Sequence, residues 1–256
     1  MLKRSHDRKT TARVNKAGKQ SLLQNAFSLP SGQNYSCPGA TSVCEGVCYA
    51  GKLEKMYPAF RNLALHNWEL LTNCASETEM YILLWEMVEE FSQECAKHNV
   101  SKVFRWHADG DIFSAEYARA IARTCNAHKD VQFWIYTRSF KFVEYIYDVP
   151  NLGLYLSVDS ENEERALATK EKFPNVRMAY LAETHEQGKE FMLTNTGKPG
   201  AICPENAKRI PLITEKGGAC FTCGLCIFGK ADIRFASKVP KRHRANRTYR
   251  CRHRWP

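Results

Sequence analysis

The chain has no apolar run long enough to cross a bilayer. Its first residues, MLKRSHDRKTTARVNKAGKQ, lack the apolar stretch of a secretory signal. These two absences lead us to expect a cytosolic protein. No zinc-protease, Walker A or dinucleotide-binding fingerprint occurs, so three common routes to an enzymatic site are closed. Acidic residues are scarce where basic ones are densest. Residues 1–20 hold seven Lys/Arg and one acid, Asp7, and residues 238–256 hold eight Lys/Arg and none. Between them lie 22 basic and 26 acidic residues, so the body is mildly acidic while the chain as a whole carries +10. Basic ends of this kind suit a polyanion, most often nucleic acid. They equally suit solvated ends that aid solubility. Tyr249 and Trp255 among the arginines could stack on bases.

Cysteine is abundant. Eleven occur, at 37, 44, 48, 74, 95, 125, 203, 220, 223, 226 and 251. In a reducing cytosol that number points to metal ligation or redox chemistry rather than disulfides. Cys37, Cys44 and Cys48 form C-x6-C-x3-C in the turn-rich stretch SCPGATSVCEGVCYA. Cys220, Cys223 and Cys226 form C-x2-C-x2-C in GGACFTCGLCIFG, and Cys203 stands upstream in AICPEN, beside a proline. Thiolates select zinc, copper(I) or iron–sulfur clusters. A zinc ribbon uses two separated C-x2-C knuckles. Three cysteines spaced by two residues plus a remote Cys-Pro are closer to a cluster binder. The second set counts four thiolates and suffices to close a [4Fe–4S] site. The first set counts three, which leaves one iron of a four-iron cluster open to a ligand. The alternatives are a structural zinc completed by a residue such as His107, or one site shared by both sets. Two sites is the reading we favour. Cys74, Cys95 and Cys125 fall in helical patterns and read as ordinary buried thiols. Cys251 receives no role.

Apolar residues recur at helical spacing from Leu53 to Asn73 and from Glu77 to His98. After Asn99 the texture alternates. KVFRW (102–106), VQFWIYT (131–137), GLYLSVD (153–159) and VRMAYLA (176–182) read as strands, preceded by AFSLP (26–30) and followed by GAICP (200–204). Helices are expected over Ser114–His128, with Ser114 as N-cap, over Phe140–Tyr147 and over Glu161–Phe173. Strands and helices alternating at this interval indicate βαβ units and a parallel sheet. The fold class expected is α/β, a partial (βα)6-like TIM barrel, with a cysteine-rich C-terminal segment and basic tails. The expected divisions are a tail over 1–20, the partial barrel with the first cysteine loop over 21–200, a cluster-binding segment over 201–237 and a tail over 238–256. Chemistry in such folds gathers at the C-terminal ends of the strands. Here those ends read HADGD (107–111), TRS (137–139), SVDS (157–160) and AE (182–183). The Asp-Gly-Asp run is also a good turn, and Trp106 and Trp134 read as core.

Three cysteines in a loop after the first strand, followed by βα units, resemble radical S-adenosylmethionine (SAM) enzymes. The phrases CPGATSVCEGVCYA, RWHADGDIFSAEY, WIYTRSF, LSVD, ICPENAK and CFTCGLC are similar to the phage family called gene product eighty-eight, and to a neighbouring phage group that is itself similar to spore photoproduct lyase. The likeness runs over about residues 26–229. It implies a phage protein working in the host cytoplasm. It implies that Cys37, Cys44 and Cys48 hold a [4Fe–4S] cluster whose open iron chelates SAM. Asp109, Gly110 and Asp111 would then meet the amino group of the methionine moiety, and Thr137, Arg138, Ser157 and Asp159 would line the pocket for ribose or carboxylate. A cluster on Cys203, Cys220, Cys223 and Cys226 would be auxiliary, and an electron donor would be required. The usual spacing is C-x3-C-x2-C, and the aromatic residue usually found before the last cysteine is Val47 here, with Tyr49 after it. The first expectation is therefore a radical SAM-like enzyme acting on a nucleic acid or nucleotide. The second is a non-catalytic nucleic-acid-binding protein stapled by iron–sulfur clusters or zinc.

Overall fold

The computed structural model describes residues 1–16, 19–215 and 217–238. Cys251, Tyr249, Trp255 and all but the first residue of the expected C-terminal tail lie outside these. The elements run β1 (Arg13–Lys16), β2 (Lys19–Leu22), β3 (Ala26–Ser28), α1 (Ser42–Val47), α2 (Tyr49–Met56), α3 (Pro58–Thr72) and α4 (Glu77–His98). Then come β4 (Val103–Asp109), α5 (Ala115–Ala127), β5 (Gln132–Thr137), a 3-10 helix (Phe140–Tyr145), β6 (Leu152–Val158), α6 (Glu163–Lys172), β7 (Arg177–Ala182) and α7 (His185–Thr196). The chain continues through β8 (Ala201–Ile202), β9 (Ile213–Thr214), β10 (Gly217–Gly218), α8 (Ala219–Cys223) and β11 (Ile233–Ala236).

Seven strands make one sheet in the order β3-β4-β5-β6-β7-β11-β8. Every pairing in it is parallel. The sheet is open: its edge strands β3 and β8 do not pair with each other. A parallel sheet must be covered on both faces, and all seven residues of β4 are buried. One face carries Phe104, Trp106, Phe133, Ile135, Leu154, Leu156 and Met178 and packs on the helices, among them Leu84, Met87 and Phe91 of α4 and Tyr117 and Ile121 of α5. The Trp106 and Phe133 rings stack at 5.7 Å. The other face carries Val103, Trp134, Tyr136, Tyr155 and Ala179, and the cysteine-rich segment lies on it through Leu225, Cys226 and Ile227. Gly153 permits that approach, because a Cβ there would sit 2.7 Å from the Cys226 carbonyl oxygen.

The helix ends follow their sequence signals. Ser114 caps α5 by accepting from the Tyr117 amide, and Ser76 does the same for α4 from Glu79. The single helix expected over Leu53–Asn73 is two. Pro58 opens α3 and cannot continue α2, so the chain breaks at Tyr57. The expected helix at Phe140 is a 3-10 helix. β11 was not anticipated. It inserts between β7 and β8, and its four residues contain Arg234, which interrupts the apolar run.

The N-terminal residues are no tail. Leu2, Ser5, Thr10 and Thr11 are almost wholly buried. Ser5 bridges to Ala26, beside β3. Arg4 pairs with Glu94 at 2.8 Å and Glu90 at 3.4 Å, Lys9 pairs with Glu205 at 2.9 Å, and Asp7 pairs with Arg105. These basic residues answer acids of the body, which removes them from the polyanion argument.

Candidate functional site

The loop after β3 returns over the C-terminal ends of β4, β5 and β6. Gly39 passes so close to β5 that a Cβ would lie 2.2 Å from the Arg138 carbonyl oxygen. Thr41 then caps α1 by accepting from the Cys44 amide at 3.0 Å. Cys48 is the N-cap of α2, and its sulfur accepts the Gly51 amide at 3.3 Å. Cys37, Cys44 and Cys48 all line one cavity of about 370 Å³, with Ser31, Tyr35 and Glu54. Burial pushes the Cys37 thiol up to about 12, and Asp111 and Asp109 add to the shift. Burial also raises Cys44; Arg138 opposes this, while Cys48 and Asp159 add to it.

The polar residues expected to face a cofactor divide into two groups. Asp111, Thr137, Arg138, Ser157 and Asp159 are bound to one another beneath the loop. Asp111 accepts from the Thr137 hydroxyl at 2.6 Å and the Arg138 amide at 2.7 Å. Arg138 donates to Ser157 at 2.7 Å and pairs with Asp159 at 3.1 Å. Asp159 also accepts from the Thr41 hydroxyl at 2.7 Å. None of the five lines the cavity; together they anchor the cysteine loop to the strand ends. Asp109 is different. Gly110 gives its amide to Asp109 Oδ1 at 2.8 Å, but the buried Oδ2 has no hydrogen-bond partner of ordinary donor–acceptor kind. Burial and the neighbouring Glu54 push the Asp109 carboxyl up to about 9. Two close carboxyl groups share a proton more readily than they both ionise. Glu54 also accepts the amide and hydroxyl of Ser31, at 2.8 and 2.6 Å. Sequence reasoning missed Glu54, because it marks neither a motif nor a strand end.

His107 is not the missing ligand of a zinc site. Its Nε2 bonds to the Tyr117 hydroxyl at 2.9 Å, on the helical side of the sheet. Burial, with help from Arg105, lowers it to about 3, so it is neutral. It sits in β4 at φ 58°, where the register with β3 shifts, the geometry of a bulge that re-aims a side chain.

The second set converges on the opposite face of the sheet. Cys203, Cys220, Cys223 and Cys226 line one small cavity of about 20 Å³, with Glu205, Leu225 and Ile233. Cys203 takes its place by donating its amide to the Arg234 carbonyl at 3.1 Å, and Cys220 by donating its own to the Lys9 carbonyl at 2.7 Å. Burial raises Cys220 and Cys226, and the neighbouring sulfurs add to it. The Tyr136 hydroxyl donates to Cys226 and, with Arg105, works the other way. The Arg105 Nε is buried without a partner, and its guanidinium lies 5.6 Å over the Tyr136 ring. Among the described residues, no three His, Cys, Asp or Glu side chains close on a single ion-sized point. None of the ten described cysteines is joined in a disulfide. Cys74, Cys95 and Cys125 line neither cavity.

The sequence model of the family described as "Gene product 88" matches residues 1–229. The chain belongs to the gene product 88 family. It is 44% identical over 243 residues to the "Gene 88 protein" of Mycobacterium phage L5, and 43% identical over 243 residues to that of Mycobacterium phage D29. Each alignment covers 92% of this chain and 98% of the relative. The family match begins at residue 1 rather than near 26, in keeping with the packed N-terminal segment. No solved structure matches.

Proposed function

We propose that this gene product 88 family member is an iron–sulfur protein with two cysteine-held sites, and that the three-cysteine cavity is its reactive one. The carrying observation is that each cysteine set, assembled from separate elements, lines a single cavity with none of its sulfurs in a disulfide. The donor sets fit clusters better than zinc. Zinc asks four donors to close within about 2.3 Å of one point, whereas a cluster spreads its thiolates over several irons. The buried, unpartnered Nε–H of Arg105 beside Cys220 and Cys226 suits a polyanionic group there. The cavity of about 370 Å³ leaves room beyond three sulfurs for an organic ligand.

The finer reading is radical SAM-like, on an open sheet taken as a partial barrel. Its chemistry would be one-electron reductive cleavage of SAM to methionine and a 5′-deoxyadenosyl radical, with an external low-potential donor supplying the electron. Glu54 lines the cavity and is placed to meet a ligand there, with Asp109 behind it. Asp111, Thr137, Arg138, Ser157 and Asp159 hold the loop instead. A nucleic acid or nucleotide is the substrate class favoured by the basic residues 238–256. The phage relatives favour the host cytoplasm, and among the described residues no helix is long and apolar enough to cross a membrane. Anaerobic purification should give brown protein with roughly eight irons and as many acid-labile sulfides per chain, the content of two four-iron clusters. Added SAM should perturb the electron paramagnetic resonance of the reduced protein, and 5′-deoxyadenosine should form. Colourless protein carrying zinc would overturn the first claim. Cluster without any SAM response would overturn the second alone.

A further inference from the structure

The first turn of α7 gathers positive charge beside β11, with Glu186 as the acid of that turn. Arg234 leaves β11 on the helical side of the sheet and is 6% exposed. Its stem lies against Gly188 of α7, whose missing Cβ would be 3.6 Å from Cδ, and its Nη1 donates to the His185 carbonyl at 2.6 Å. Its Nε is buried with no partner, and no carboxylate among the described residues pairs with it. Both ring nitrogens of His185, the first residue of α7, are also buried and unpartnered. Arg209, exposed on the turn after Cys203, is close enough to act on both. Burial, Arg234 and Arg209 all lower His185; burial lowers Arg234, with Glu186 opposing and Arg209 adding. Glu186 is turned to Lys189, at 3.4 Å, with its side chain largely exposed.

A buried guanidinium without a carboxylate is costly. A second arginine and the positive end of a 12-residue helix raise that cost further. The same three features are what an oxyanion needs. A helix N-terminus after a parallel strand offers amides and a favourable dipole. A guanidinium supplies a planar fork that matches phosphate. An unpartnered imidazole N–H adds a third donor.

We infer that Arg234, Arg209 and His185 form a binding site for one oxyanion, the phosphate group of a phosphorylated small molecule. None of the three lines either cysteine cavity, although the Arg234 carbonyl accepts the Cys203 amide at 3.1 Å. Isothermal titration of the purified protein with inorganic phosphate and with a nucleoside 5′-monophosphate tests it, with acetate and chloride at matched ionic strength as controls. Phosphate-bearing ligands should bind and the controls should not. Arg209→Gln and His185→Gln, checked for unchanged circular dichroism, should each weaken binding about tenfold, the loss of one charge-assisted hydrogen bond. Phosphate binding no tighter than acetate overturns the inference, as does binding left intact in both variants.

Discussion

The two cysteine sites sit on one sheet and are built in opposite ways. The first rides on a loop and two short helices over the C-terminal strand ends, with three thiols around a roomy cavity. The second is pressed against a sheet face, with four thiols around a small one. The first is held from beneath by the chain of polar bonds through Asp111, Arg138 and Asp159. The second is walled by Tyr136, Tyr155 and the N-terminal segment. An incomplete donor set with open space suits exchange with a ligand. A complete donor set in a dry wall suits permanence.

The sharpest way to break that contrast is to remove one thiol from each side. Cys37→Ser and Cys220→Ser should each lose about half of the bound iron, leaving the other cluster's spectrum intact. Loss of all iron from either variant would make the two sites one. Next in size is the polar anchor. Asp159→Ala strands the Arg138 guanidinium beneath the loop and should cost about 3–5 kcal/mol in urea unfolding, with iron lost from the first site before the second. Gly153→Ala is the counterpart for the second site. Its Cβ meets the Cys226 carbonyl at 2.7 Å and should cost about 1–3 kcal/mol, with the second cluster the one released.

A pH-dependent test concerns Asp109 in iron-free protein. Its carboxyl is held up at about 9 in the fold, while the unfolded chain ionises near the ordinary value of about 4. Between those limits the folded state keeps a proton that the unfolded state has released. Stability should therefore fall as pH rises from about 4 to about 9. Asp109→Asn should remove that slope and be the more stable protein at pH 8, read from denaturation midpoints across the range. A slope unchanged by the substitution would place the titration elsewhere.

Much of the framework was legible in the residues. Ser114 announced α5, and the four runs from KVFRW to VRMAYLA became β4 to β7. Both cysteine sets were legible because thiol spacing is a local signal. The failures have physical causes. A buried ion pair such as Asp7–Arg105 joins residues 98 apart, so nothing local tells a basic tail from a packed segment. Arg234 hid a strand because a buried arginine looks like a turn residue. The strand-end residues from Asp111 to Asp159 do gather where expected, but polar groups at one place can satisfy each other as well as a ligand. Only their hydrogen-bond partners tell these apart, and they leave Asp109 Oδ2 unsatisfied behind Glu54, which lines the cavity.

Mössbauer spectroscopy of iron-57-labelled protein, purified without oxygen, tests the central claim most directly. Two four-iron populations should appear, and one iron of one cluster should shift when SAM is added. A single population closed by four sulfurs, or protein holding no iron, would contradict it.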